Sequence, residues 1–423
     1  MKKIFALVLA ALMVLSMVAC AETTNNPGET TKPAGPNAES PLALEIKVWT
    51  PSEDQNADAN WLEKMEKAFE AAHPEYKISW VNESCSEGDA GGTVTGDVTA
   101  AADVYMFAND QVGTLVTAGG LSALGGVFEE QVKNDNSEFM VSTVTHTDGK
   151  IYGFPLTNNT FFLYYNKDVY TEEDVKSLET MLEKGKVCMP FTVGWNAGAF
   201  FWGVGGTVFG EKGNDLDAGV QFGDKGYDAA KKMIEVATHP NCVIGGMDVG
   251  KMFSGDADAA FGGSWNAAEV KKNMGDKMGV AQLPSFTIDG QTYNMTALGG
   301  TKCVGVNPNS GAVEGKQKAC TLFAAFLASS EAQLERYNMR GVIPASKTLL
   351  ENETIKNDPV AVAEINTMAN CTIIQSGLPE MNNVWTPLTN FAGKCGTGDV
   401  NLDNYKAAVD ALAKQLTKEA LAG

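Results

Sequence analysis

Two acidic stretches close predicted strands early in the chain, Thr50-Pro51-Ser52-Glu53-Asp54-Gln55 and Ala108-Asn109-Asp110. Asp54 and Asp110 each have two readings. They cap the free amides of a following helix, or they accept hydrogen bonds from the hydroxyls of a ligand. Phe107, beside Asp110, supplies an apolar face for the second reading. A pyranose needs that combination, because its ring has C–H faces and an equatorial belt of hydroxyls. Farther along, FTVGWNAGAFFWG at 191–203 sets Trp195 and Asn196 among glycines, as aromatic core or as a cleft lining. At 261–265, FGGSW ends a short apolar strand in a glycine turn that presents Trp265, a better candidate for a ligand platform than most single tryptophans.

Motifs for other chemistry are missing from the sequence. There is no GxSxG elbow, HExxH helix or GxxxxGK[ST] loop, so the reading is of a binding protein and not an enzyme. Paired carboxylates acting in glycoside hydrolysis are the alternative. The eight cysteines form no CxxC, and the three histidines, His73, His146 and His239, are scattered, so neither a metal nor another cofactor is expected. Setting Cys20 aside leaves an odd number of cysteines, and at least one must be unpaired or bonded outside the chain. The net charge of −20 repels nucleic acid and favours a neutral or cationic ligand. A 44% hydrophobic composition allows a large core.

The elements that would position these residues alternate between strand and helix. Segments 44–49, 76–81 and 104–107 read as strands, 61–72 and 111–118 as helices, and 98–102 as the end of another helix. Alternation of this kind makes a parallel sheet covered on both faces, with ligands bound beyond the carboxyl ends of its strands. The stretch DGKIYGFPLTNNTFFLYYNKDVY, 148–170, reads as two strands around a polar break at 157–160, which suits a crossing between two lobes. Thr171 to Asp174 resembles a capping box before a helix at 175–183. Helices are expected at 225–238, 316–328, 331–339 and 403–421, strands at 280–283 and 299–306, and another crossing at 341–344.

Ahead of these lies a secretory signal, 1–19, with Lys2, Lys3 and an apolar run. Met17-Val18-Ala19-Cys20 resembles a bacterial lipobox, which makes Cys20 the lipidated residue. The polar segment that follows cannot bury a core and reads as a flexible tether. About 400 residues remain after processing, enough for two or three domains.

The order and spacing of KVWTPSEDQ, DVYMFANDQVG, the 148–170 stretch, FSGDADAAFGGSW, VAQLPSF, GGTKCVGVN and LPEMNNVW resemble ABC-transporter solute-binding proteins of the maltose and malto-oligosaccharide type. That resemblance implies a periplasmic-binding-protein-like fold, two α/β lobes with the ligand cleft between them. It implies an extracellular, lipid-anchored monomer that captures a neutral oligosaccharide, most simply a malto-oligosaccharide, and passes it to permease subunits. Galacto- or xylo-oligosaccharides and polyamines are the alternative ligands. Carried over by position, Glu53, Asp54, Phe107, Asp110, Asn159, Trp195, Asn196, Trp265 and Trp385 become the substrate contacts, with Asn159 standing where better-known members carry a glutamate. The division is a signal at 1–19, a tether at 20–43, one lobe at 44–153 plus 302–343 and another at 154–301 plus 344–423.

Overall fold

A computed structural model describes residues 40–57, 60–311 and 313–422. The expected signal, lipobox and most of the tether lie outside the described residues.

The strand Leu42–Thr50 places Leu44, Ile46 and Val48 on one side, and it lies parallel to Tyr76–Ser84 along its whole length. Val48 and Trp49 pair on its other edge with the parallel strand Val104–Ala108. The helix Trp61–Ala72 crosses between the first two strands and buries Trp61, Leu62, Met65 and Phe69 against this sheet, at the 3.6-residue period its sequence shows. The long strand Ala297–Val306 then runs antiparallel to Val104–Ala108 and, on its other edge, to Phe154–Asn159. Its first residues, Ala297 to Gly299, pair instead with Thr372–Ile374.

A second sheet has the order Met278–Ala281, Phe162–Asn166, Ala259–Gly262, Val187–Met189, Cys242–Ile244, antiparallel at its first two joints and parallel at its last two. Each sheet has its own core. One cluster draws on 44–156 and 303–332, the other on 161–298 and 371–421. The described chain is therefore two α/β lobes joined by crossing segments.

At the first crossing the predicted polar break does not turn. Thr157, Asn158 and Asn159 continue the strand, all buried, and the chain changes sheet one step later, at Thr160 and Phe161. Backbone satisfaction explains it: strand Ala297–Val306 flanks one side, and the Asn158 amide donates to the Ile343 carbonyl on the other at 3.0 Å. Phe154 and Leu156 accordingly pack in the first core. The expected crossing near 341–344 is the segment that supplies Ile343 and bridges Thr157 through Pro344.

Other boundaries move for local reasons. The helix expected to end near 102 is Ala90–Gly96, and the Asp97 carboxylate then accepts from the Thr99 and Ala100 amides, forming a turn. Thr171 and Asp174 exchange the two predicted capping bonds at 2.9 and 3.3 Å, but a single tight turn follows and the helix Leu178–Lys184 begins under a fresh cap, Ser177. The terminal helix is divided into Tyr405–Gln415 and Lys418–Ala422, with the Leu416 carbonyl between them accepting from the Val220 amide. Cys188 and Cys242 lie on paired strands, yet neighbouring registers turn them to opposite faces of the sheet, and both are free thiols.

Candidate functional site

Between the lobes lies a cavity of about 590 Å³. The carboxyl ends of the first sheet open onto it: Leu42–Thr50 runs into the turn Ser52–Gln55, which brings Glu53, and Val104–Ala108 runs into Asn109–Gln111, which brings Asp110. The crossing strand brings Thr157, Asn158 and Asn159 to the same cavity. The second lobe contributes Trp195, Ser264, Trp265 and Trp385. A larger trough, about 1240 Å³, runs past Lys133, His146 and Gly213 but holds none of the predicted ligand residues.

The aromatic wall is ordered by close backbone approach. Trp195 and Trp265 lie with ring centroids 6.2 Å apart and planes 38° apart, and Phe161 meets the back of Trp195 edge-on at 5.5 Å. At Gly194 a Cβ would stand 2.3 Å from the Trp385 carbonyl, so only glycine lets these two cleft segments touch. Trp265 remains 41% exposed, an unusual position for so large an apolar ring and one that leaves a face free for stacking. Its turn is held from beneath. The Tyr164 hydroxyl donates to the Gly263 carbonyl at 2.8 Å, and Asn266 Oδ1 accepts from the Gly263 amide at 3.2 Å.

Glu364 also lies under that turn, fully buried. Neither of its carboxyl oxygens reaches hydrogen-bond geometry, and burial pushes its pKa up to about 8, with neighbouring Ser264 opposing the rise only in part. The unfolded chain gives up this proton near the ordinary glutamate value, so the folded state is favoured below about pH 4.5 and loses that advantage as the pH rises towards 8. Glu364→Gln should therefore raise the thermal midpoint at pH 8, by an energy on the order of a few kcal/mol, and change it little at pH 4. Midpoints for both proteins across that window check the sign.

Six of the nine predicted contacts line the cavity: Glu53, Asp110, Asn159, Trp195, Trp265 and Trp385. The other three do not. Phe107 points into the first core, fully buried against Tyr105 and beneath Gly153 and Gly305, because it faces inward on a strand covered on both sides. Asn196 is buried behind Trp195, with no partner for its amide nitrogen or oxygen. Asp54 neither caps a helix nor reaches the cavity. Its carboxylate grips Arg336 through Nε and Nη2 at 2.9 and 2.8 Å, and Arg340 through Nη1 at 2.7 Å.

Those arginines are among the cleft residues that sequence reasoning missed. They are the only two in the sequence, and they stand four apart on the helix Ser330–Arg340, a spacing that puts both on one face. Burial works against the charge of Arg336, but Asp54 and Glu87 outweigh it and hold its pKa above the ordinary value. Lys302, Glu87 and Gln375 also line the cavity. Asp110 reaches the cavity, yet its Oδ1 is enclosed without a partner. Burial raises its pKa, opposed by Lys302 and Gln375.

Residues 64–363 match the family model described as bacterial extracellular solute-binding protein. The chain belongs to this family. Among curated relatives, it is 27% identical to the galactooligosaccharide-binding protein of Bacillus subtilis, covering 98% of this chain and 96% of that one. It is 26% identical to a maltooligosaccharide ABC transporter solute-binding lipoprotein of Streptococcus pneumoniae, over 100% and 97%. Among solved structures, one determined with acarbose superposes with a TM-score of 0.84 at 39% identity, covering 89% of this chain and 99% of the other. The maltodextrin binding protein MalE1 from L. casei BL23, without ligand, gives 0.81 at 26%, with the same coverage. The family bears out the two-lobed fold, and its described place is outside the cell.

Proposed function

We propose that this protein captures a neutral oligosaccharide in the cleft between its lobes and delivers it, unchanged, to the permease of an ABC transporter. The observation that carries the reading is the pairing of a tryptophan wall, half-buried Trp195 and exposed Trp265, with hydrogen-bonding groups from the facing lobe, Asp110, Asn159 and Glu53. Sugar rings have one surface for each.

Charge supports a neutral ligand over a polyamine. The whole chain carries −20, yet the cavity lining sets Lys302, Arg336 and Arg340 against Glu53, Glu87 and Asp110, three cations and three carboxylates. A polyamine would need an excess of carboxylates near its ammonium groups. The relatives named for malto- and galacto-oligosaccharides make those the first two classes to try, followed by xylo-oligosaccharides.

In this reading the lobes are 44–153 plus 302–343 and 154–301 plus 344–423, with the actual change of core near 160, and they close on the sugar by bending at the crossings. Cys20 carries a lipid that holds the monomer at the outer face of the membrane, and the protein performs no turnover. Titrating intrinsic tryptophan fluorescence with malto-, galacto- and xylo-oligosaccharides tests the reading. A saturable change with at least one series is expected. Silence with all of them, together with a response to a polyamine, would overturn it.

A further inference from the structure

The turn Asn109–Gln111 brings Asp110 to the cavity, and its last residue, Gln111, also lines the cavity while only 7% exposed. The Gln111 amide is taken up by the neighbouring segment 87–91. Nε2 donates to the Gly88 carbonyl at 2.6 Å and to the Glu87 carbonyl at 3.1 Å, and Oε1 accepts from the Gly91 amide at 2.7 Å. Three backbone partners with fixed roles settle how the amide is turned. Both of its N–H groups are engaged, so Gln111 has no donor left for a ligand although it stands in the lining.

The segment it holds forms the part of the wall made by Ser86, Glu87 and Gly88. Asp89 stands at the capping position of the helix Ala90–Gly96, but its carboxylate accepts from the Ser86 hydroxyl at 2.6 Å and gives the helix no cap. Gln111 Oε1 supplies that acceptor from 20 residues away. The approach is so close that a Cβ at Gly91 would stand 3.0 Å from Gln111 Cδ and Oε1. The Glu87 carbonyl also accepts from the Ala108 amide at 3.0 Å, so the loop is fastened on both sides of Asp110. The turn itself is anchored elsewhere. Asn109 Oδ1 accepts from the Thr301 amide at 3.1 Å, and its Nδ2 donates to the Gln375 carbonyl at 3.0 Å. The turn is therefore the fixed partner and the loop the held one.

We propose that Gln111 is a positioning residue: it straps the wall at Ser86, Glu87 and Gly88 to the turn that carries Asp110, so that a ligand meets wall and acid at one fixed spacing. The purpose of the strap rests on the oligosaccharide reading, but its existence does not. Gln111→Glu makes the strap depend on protonation. When ionised, the new side chain can only accept and is set against two carbonyls; when neutral, its O–H donates to one of them and its other oxygen still accepts from Gly91. Burial beside carbonyls holds such a carboxyl above the ordinary glutamate value, so the strap is lost in mild alkali and recovers on acidification. The charged groups around position 111 are Glu87 and Asp89 on the loop, Asp110 beside it, and Lys302 and Glu380 on segments packed against the turn, with Arg336 bonded to Glu87. All of them are present in the parent, so comparison with the parent at each pH removes their effect.

The test follows amide hydrogen exchange over 86–96 in ligand-free protein, with the helix Trp61–Ala72 as an internal control of folding. Gln111→Met should speed exchange at least about tenfold at every pH. Gln111→Glu should match it at about pH 8 and return towards the parent at about pH 5. That reversal is internal to one variant, so it decides the case even where the methionine variant does not fold, and a residue that merely fills space would not show it. Exchange in Gln111→Glu that stays equally fast at both pH values, or parent-like protection in Gln111→Met, would overturn the strap. Calorimetry with maltotetraose and galactotetraose adds the ligand: whichever the parent binds should be held at least about tenfold more weakly by Gln111→Met, and by Gln111→Glu at the higher pH only. Parent-like affinity in Gln111→Met would overturn the positioning role. Failure of the parent to bind either sugar would count against the oligosaccharide reading and leave the exchange result standing.

Discussion

Asp54→Ala is expected to be the most damaging single change around the cleft, though the residue itself does not reach the cavity. Its carboxylate is fully buried and makes three hydrogen bonds to the two arginines, while Arg336 is itself 2% exposed and lies 5.5 Å from the Trp61 ring. Removing one partner of a buried ion pair leaves the other charge without compensation and typically costs about 3–5 kcal/mol. Glu87, 3.3 Å from Arg336, can recover only part of that, since it sits at the cavity edge and makes a single contact. For a chain of this size the loss corresponds to a fall in thermal midpoint on the order of 5 °C. The double variant Asp54→Ala/Arg336→Met should recover a substantial fraction of the loss, because it removes the stranded guanidinium as well. A midpoint within about 1 °C of the parent for Asp54→Ala alone would show that the pair is not buried as described.

Trp265→Ala should separate affinity from stability in the opposite sense. The ring is 41% exposed, so little core is lost. As an aromatic anchor for a ligand its removal is worth about 2 kcal/mol, or roughly a 30-fold weaker sugar complex. Trp385→Ala should also weaken binding, but at a cost in stability, since Trp385 packs against the core of the second lobe. Tyr227→Ala is a matched control, equally exposed at 41% and absent from the cavity lining. Calorimetric titration alongside thermal melts distinguishes the three. If Trp265→Ala binds as tightly as Tyr227→Ala, the aromatic wall is not the stacking surface.

Local signals in the sequence sufficed for much of the fold. The apolar alternation of 44–49 and the helical spacing of Trp61, Leu62, Met65 and Phe69 depend on neighbours a few residues away, and both elements form where expected. Signals also fail where distant chain segments decide the outcome. Thr157 to Asn159 has the composition of a turn, but the strand Ala297–Val306 and Ile343, far along the chain, provide the bonds that keep it extended. Asp54 is separated from Arg336 by 282 residues, and nothing near Asp54 reveals that its partner is an arginine and not a hydroxyl. Phe107 shows the limit of reading a side chain from its neighbour: Asp110 turns towards the cavity after the strand ends, while Phe107, still within it, points to the core.

Some of the missing site was nevertheless visible. A sequence with only two arginines, four residues apart, marks a helix face with a specific use for planar, permanently charged groups. Gln375 offered no such sign. A glutamine after a short strand is common, and its significance comes from accepting the indole N–H of Trp195, 180 residues away in the sequence, at 2.6 Å.

The most direct test of the account is to titrate the protein calorimetrically with malto- and galacto-oligosaccharides of increasing length, then recover each sugar and compare its chain length before and after incubation. The account predicts saturable one-site binding of at least one neutral oligosaccharide, weakened roughly 30-fold by Trp265→Ala, with the sugar recovered intact. Shortened sugar, or heat from a polyamine with none from any oligosaccharide, would contradict it.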